Sequence, residues 1–238
     1  MTLSPEEPTG GVASAAAVGE PTTAATTLPP RTPAPAERLL ERADALAAGA
    51  RPADAVAVYR ELLATDAAHV EARLHLARLL VQLEEHEQAL VLLGETLRNA
   101  PDQTEFLVLR GGIFTHLRRY EEADGDLRRV LRLYPSHAPA HLELGRLLWR
   151  KGLAGEAATY FRRALEFQPD SARICSSLGD ALNQAGDLAG AQAALQRALE
   201  LDPRDSKTHH LLGRVFDRLG QPDEARDMYE RSRELAGE

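Results

Sequence analysis

Alanine recurs at positions 55, 89, 123, 157, 191 and 225, an interval of thirty-four residues each time. A fixed period of that length means one small supersecondary unit repeated, not a single folded core. Six units follow, counted from Ala36, Val70, Thr104, Ala138, Ala172 and Ser206. Their eighth residue is always small: Ala43, Ala77, Gly111, Gly145, Gly179 and Gly213. Their eleventh is always large and apolar: Leu46, Leu80, Phe114, Leu148, Leu182 and Phe216. The twenty-fourth is Tyr59, Leu93, Leu127, Phe161, Leu195 or Tyr229. Proline stands near the end of four units, at Pro101, Pro135, Pro169 and Pro203.

These residue types suit a helix pair. Small residues let two helix backbones approach, and large apolar residues of the paired helix fill the space beside them. Proline cannot continue a helix, so it closes one unit and opens the next. Pro52 and Pro222 fall at the start of second helices, and Pro139 in the first turn of a first helix. Those turns tolerate proline because their amides have no helical partner.

Leu144-Gly145, Ala157 with Phe161, and closing Pro169 make the pattern explicit in unit four. Leu178-Gly179 with Ala191 and Pro203, and Leu212-Gly213 with Ala225 and Tyr229, repeat most of it. The chain thus resembles the tetratricopeptide repeat family. The resemblance covers residues 36–238, as units 36–69, 70–103, 104–137, 138–171, 172–205 and 206–238. It implies an all-α, right-handed solenoid of six helix-turn-helix units with a concave groove. The family's Trp of the first helix is missing: Leu39, Arg73, Leu107, His141, Cys175 and His209 stand there. Arg42 and Arg110 replace an expected Leu, which should weaken units one and three slightly.

In such an array each unit buries its apolar face on its neighbours, and a terminal unit needs a polar outer face. Five units carry Leu63, Leu97, Leu131, Leu165 and Leu199, and the sixth carries Arg233 in that place, beside Ser232. The helix around Met228–Leu235 is therefore expected to be the cap. Residues 1–35 have another composition, rich in Pro, Thr and Ala with sparse charge. They cannot bury enough apolar surface to offset ordering entropy, so a disordered tail is expected. Leu28-Pro29-Pro30-Arg31 is its best candidate for a short recruitment motif.

The net charge of −8 argues against nucleic acid as a partner. A single cysteine, Cys175, cannot close an intramolecular disulfide and reads as a small core residue. No run reaches the ~20 apolar residues of a membrane span, and no basic residue precedes Arg31, so no secretory signal is read. A cytoplasmic location is expected. Only Lys151 and Lys207 are lysines, an arginine bias that suggests a bacterial genome of high GC content.

No catalytic constellation emerges. Gly111-Gly112 lacks the residues and spacing of a phosphate loop. His137 and His141 lie four apart, but Pro139 marks a helix start between them and no third ligand is near. Neither a metal nor a cofactor is expected. Glu84-Glu85 and Glu121-Glu122 precede second helices, where negative charge suits the helix dipole.

The resemblance implies that first helices line the inner surface. At helical spacing the inward positions turn from acidic in units one and two to basic from unit four onward. The candidates for partner binding are Arg78, Gln82, Arg146, Trp149, Arg150, Arg173, Asn183, Gln184, Arg214 and Arg218. Arginine forks match carboxylates, and Trp and Arg dominate binding hot spots. Asn183 and Gln184 could bond an extended peptide backbone. The expected function is a non-catalytic interaction scaffold or adaptor, holding an acidic or C-terminal peptide of a protein partner on Trp149. The alternative is an accessory, regulatory or assembly subunit of a larger enzyme or membrane complex. The Lys/Asn/Asn/Lys/Arg set that clamps chaperone tails in some family members is absent from any three adjacent units.

Overall fold

The computed structural model describes residues 35–49 and 51–237. These residues form twelve α-helices and no strand. They are α1 (Pro35–Ala48), α2 (Pro52–Thr65), α3 (Val70–Gln82), α4 (His86–Asn99), α5 (Thr104–His116) and α6 (Tyr120–Leu133). They continue as α7 (Ala138–Arg150), α8 (Ala154–Phe167), α9 (Ala172–Ala185), α10 (Leu188–Leu201), α11 (Ser206–Leu219) and α12 (Pro222–Gly237). The expected tail lies outside the described residues, except for Pro35, which opens α1.

Each odd-numbered helix pairs with the even-numbered helix that follows it. The periodic alanines sit at these seams, with Ala55, Ala89, Ala123, Ala157 and Ala191 fully buried. Glycine at the eighth position allows the closest approach. A Cβ on Gly145 would lie 2.6 Å from the Phe161 ring, and one on Gly179 only 2.5 Å from Leu195 Cγ. Those two large residues are the twenty-fourth of their units, so the small-against-large pairing is direct contact. The prolines fall as expected. Pro52 and Pro222 open α2 and α12, Pro139 lies in the first turn of α7, and Pro101, Pro135, Pro169 and Pro203 occupy turns between units.

The buried apolar residues form a strip along the whole array. One cluster runs from α1 to the start of α7, the other from α5 to α12, and Leu90, Val108 and Leu131 pack against both. The end of the strip is closed by α12, in which Ala225 is the only buried residue among those described. Ser232 Oγ donates to Ser206 O at 2.8 Å and fastens this last helix to α11.

Departures from the family pattern have local compensation. Arg110 donates two hydrogen bonds of 2.7 Å to Asp126, a carboxylate that is itself buried. Unit three thus keeps a paired ion contact where apolar contact was expected. At the missing Trp, Arg73 Nε donates to Ala67 O at 2.7 Å, His141 Nε2 to Pro135 O at 2.7 Å, and His209 Nδ1 to Asp205 O at 3.0 Å. These side chains tie the helix to the inter-unit turn before it. Leu107 and Cys175 are simply buried; burial pushes the Cys175 thiol up from its ordinary pKa.

One periodic feature is absent from the sequence reading. The fifteenth residue of units two to six has a left-handed backbone, with φ of 60° at Glu84 and Arg118 and of 82°, 89° and 74° at Gly152, Gly186 and Gly220. This residue closes the turn between the paired helices. Only glycine takes that conformation without steric cost.

Curvature follows from which helices touch. Each first helix packs closely on the first helix of the next unit, α1 with α3 and so on to α9 with α11, whereas successive second helices lie farther apart and meet through long side chains such as Arg60, which donates to Gln88 at 2.6 Å. The first helices therefore line the inner, shorter edge of a bent row.

A polar groove on the inner face

Two adjoining cavities occupy the inner face. The larger, of about 640 Å³, lies over α3, α5, α7 and the start of α9. The smaller, of about 270 Å³, lies over α5, α7, α9 and α11. They share Gly112, His116, Glu143 and Arg146, so they form one continuous groove. Gly112 leaves its floor open, since the nearest atom to an added Cβ would be a Glu143 carboxylate oxygen at 3.4 Å.

The candidate residues divide into three groups. Arg78, Gln82, Arg146 and Arg173 line the larger cavity. Arg146, Trp149 and Arg150 line the smaller. Asn183, Gln184, Arg214 and Arg218 line neither. Asn183 is a correction to the expectation of a free peptide-backbone ligand. It is 1% exposed, and Arg218 donates to both its main-chain and side-chain oxygens. That pair joins α9 to α11 and leaves neither group free for a peptide. Gln184 and Arg214 are exposed beside it.

The charges are more balanced than the sequence suggests. Glu143, with a side chain only 15% exposed, accepts from Arg146 at 3.1 Å and from Arg173 at 3.5 Å. Two guanidinium groups thus share one carboxylate. Burial, and then the charge of Arg146, hold Arg173 below its usual pKa. Arg78 faces Glu105 at 3.8 Å. Arg150, Lys207 and Arg214 make no ion pair among the described residues. The cationic surplus therefore lies over units four to six, although it is carried by fewer side chains than a count of arginines implies.

Trp149 is half-buried, packs against the core and lines the smaller cavity. Asp180 lines the same cavity. Burial raises its carboxyl pKa, and the nearby charges of Arg214 and Lys207 oppose that rise.

At the other end, Asp44 takes a hydrogen bond from Tyr59 and one of 2.8 Å from His75 Nδ1. The acidic end is thus partly spent on its own neighbours. His86 and His116 stack edge to face in the larger cavity, with ring centroids 4.7 Å apart. His137 does not pair with His141; its Nδ1 accepts from the Ala140 amide at 3.1 Å and caps α7. Among the described residues no group of three His, Cys, Asp or Glu side chains is placed to hold a metal ion. No described helix is long and apolar enough to cross a membrane.

Family models described as tetratricopeptide repeat match residues 45–111, 117–172 and 170–238. A search of the curated proteins finds no match. Solved structures do match. A tetratricopeptide repeat protein from Parabacteroides merdae is 19% identical with a TM-score of 0.71, the match covering 83% of this chain and 77% of that one. MamA from Desulfovibrio magneticus, residues 41 to the end, is 25% identical with a TM-score of 0.60, over 70% of this chain and 94% of that one. YrrB, a repeat protein described as having an unusual peptide-binding site, is 19% identical with a TM-score of 0.54, over 74% and 91% of the two chains.

Proposed function

The chain belongs to the tetratricopeptide repeat family, and from that premise we propose that it is a non-catalytic scaffold whose inner groove holds a segment of a partner protein. The family's fold supports protein–protein interaction in general. The observation that carries the finer reading is the smaller cavity. Half-buried Trp149 lines it together with Arg150 and Lys207, which make no ion pair among the described residues. A large rigid aromatic beside an unpaired guanidinium and an ammonium group has the composition of a binding hot spot.

The segment bound is acidic. Arg150, Lys207 and Arg214 supply the unpaired charge, while Arg146 and Arg173 can share a second carboxylate beside Glu143. A peptide-binding site is described for YrrB, and that description is in keeping with the same use of the fold here. The reading places the chain in the cytoplasm, in keeping with its buried, unpaired Cys175.

Co-purification tests it. The wild-type chain should capture a stoichiometric protein partner, and a glutamate-rich peptide should compete for it and change Trp149 fluorescence. The Trp149→Ala, Arg150→Ala double variant should lose at least tenfold in affinity, in line with the ~2 kcal/mol or more of a hot-spot residue. Unchanged affinity in that variant would refute the groove as the binding surface.

A further inference from the structure

A cavity at the N-terminal end of the array repeats one found further along it. Arg42, Leu46, Asp54, Ala57, Val58 and Glu61 line a space of about 320 Å³ on α1 and α2. Thirty-four positions later in each case, Leu76, Leu80, Gln88, Val91, Leu92 and Glu95 line a space of about 490 Å³ on α3 and α4. The two are the same face of consecutive units. In unit two that face looks onto unit one: Arg60, Leu63 and Ala64 of α2 line the same space, and Arg60 donates to Gln88 at 2.6 Å. In unit one the only other lining residue is Arg51, so half-buried Leu46 and exposed Ala57 meet no preceding helix among the described residues. Arg42 and Glu61 are exposed beside them and make no ion pair among the described residues. A repeat array needs such an end face covered or polar. The chain that leads into α1 carries Leu28-Pro29-Pro30-Arg31, seven to four residues before Pro35. At 1.5 Å per residue, Arg42 and Leu46 lie about 10 and 16 Å along α1 from Pro35. An extended polyproline segment running back from Pro35 covers ~3.1 Å per residue, which brings Arg31 about 12 Å and Leu28 about 22 Å along the same line.

We propose that Leu28-Pro29-Pro30-Arg31 folds back along α1 and covers this end face as a cap within the same chain. Leu28 lies on Leu46, Ala57 and Val58, and Arg31 pairs with Glu61. Arg42 donates to main-chain carbonyls of the strap, which a polyproline conformation leaves without internal partners. The two prolines suit the role. Their nitrogens need no acceptor, and their backbone is already extended, so docking orders little that was free. The three residues between Arg31 and Pro35 tether the strap beside its site. A short tether gives an effective concentration on the order of millimolar, so modest contacts suffice. The inference is independent of the groove reading, because the face belongs to unit one and the proposed partner lies across units four to six.

Amide hydrogen exchange of the full chain, read by mass spectrometry, tests the cap. Leu28→Ser should speed exchange of the α1 and α2 amides about threefold to tenfold and leave α9 to α12 unchanged, as the loss of one leucine contact at a terminal unit requires. Arg31→Glu should have the same local effect, and so should Glu61→Arg. The Arg31→Glu, Glu61→Arg double variant should recover the protection that each single change loses. Leu28 and Arg31 precede the helices and Glu61 is exposed, so none of these changes touches the core. Unchanged exchange of α1 and α2 in Leu28→Ser, or no recovery in the charge-reversed pair, overturns the cap. Faster exchange spread over all the helices would mean general destabilisation and overturns it too. Protection of α1 and α2 that rises with protein concentration would assign the face to a second copy of the chain, against this proposal.

Discussion

Gly145 and Gly179 face side chains that cannot retreat far, because Phe161 and Leu195 are themselves almost completely buried. Gly179→Ala should therefore cost about 1–3 kcal/mol through overpacking, read as a lower thermal midpoint. Glu84 and Arg118 are the opposite case, since each holds a left-handed backbone that their neighbours in register give to glycine. Glu84→Gly or Arg118→Gly should stabilise the chain by about 0.5–1 kcal/mol, the strain relieved exceeding the entropy that glycine adds to the unfolded state. Denaturant midpoints would show it, and a loss of stability in both variants would contradict the strain argument. Asp180 follows from its raised pKa. A carboxyl group whose folded pKa lies above its unfolded value favours folding most at low pH and loses that contribution as pH rises through the folded pKa. Asp180→Asn should therefore stabilise the chain at neutral pH, because it removes a buried charge; a denaturant midpoint reads the gain. The gain should shrink on acidification through that same interval.

At the scale of the helix pair, Arg110 and Asp126 join α5 to α6 as a unit. Breaking a largely buried pair leaves one charge uncompensated, whereas replacing both partners with apolar groups can be neutral. Asp126→Leu alone should cost about 2–4 kcal/mol, and Arg110→Leu with Asp126→Leu should recover most of it; chemical denaturation of the two variants decides. This pair also shows which features of the element were legible in the sequence. The eighth and twenty-fourth positions belong to one unit, so their contact repeats with the period and can be read from it. Arg110 broke the pattern visibly, and Asp126 could have been found as the acid sixteen residues later at the facing position. Contacts between units are another matter. Glu143 with Arg173, and Arg218 with Asn183, depend on the offset of neighbouring first helices, which no position within one unit reveals. The register placed Asn183 among the inward positions and could not show that Arg218 of the next unit occupies it. The left-handed fifteenth position escaped notice for a related reason: Glu84 and Arg118 obscured what three glycines would otherwise have marked.

At the scale of the molecule, α12 presents a polar face on the side away from α11. Arg233 stands where the other units have leucine, and the outer residues of α12 are exposed. Arg233→Leu with Ser232→Leu should turn that face into an apolar end and drive concentration-dependent self-association. Sedimentation velocity would detect it, and a variant that sediments like the wild-type chain at all concentrations would show that this face does not govern association. The contact pattern along the row has a mechanical meaning as well. Neighbouring first helices pack closely at the inner edge, while second helices stand farther apart at the outer edge and meet through long side chains such as Arg60 with Gln88. Such a row behaves like a leaf spring with its stiff seam on the inside. Bending it opens or closes the outer gaps at little cost, while the groove floor changes length hardly at all. A ligand lying across units four to six would act as a splint on the stiff side, and the ends of the molecule would register its arrival as a change in curvature.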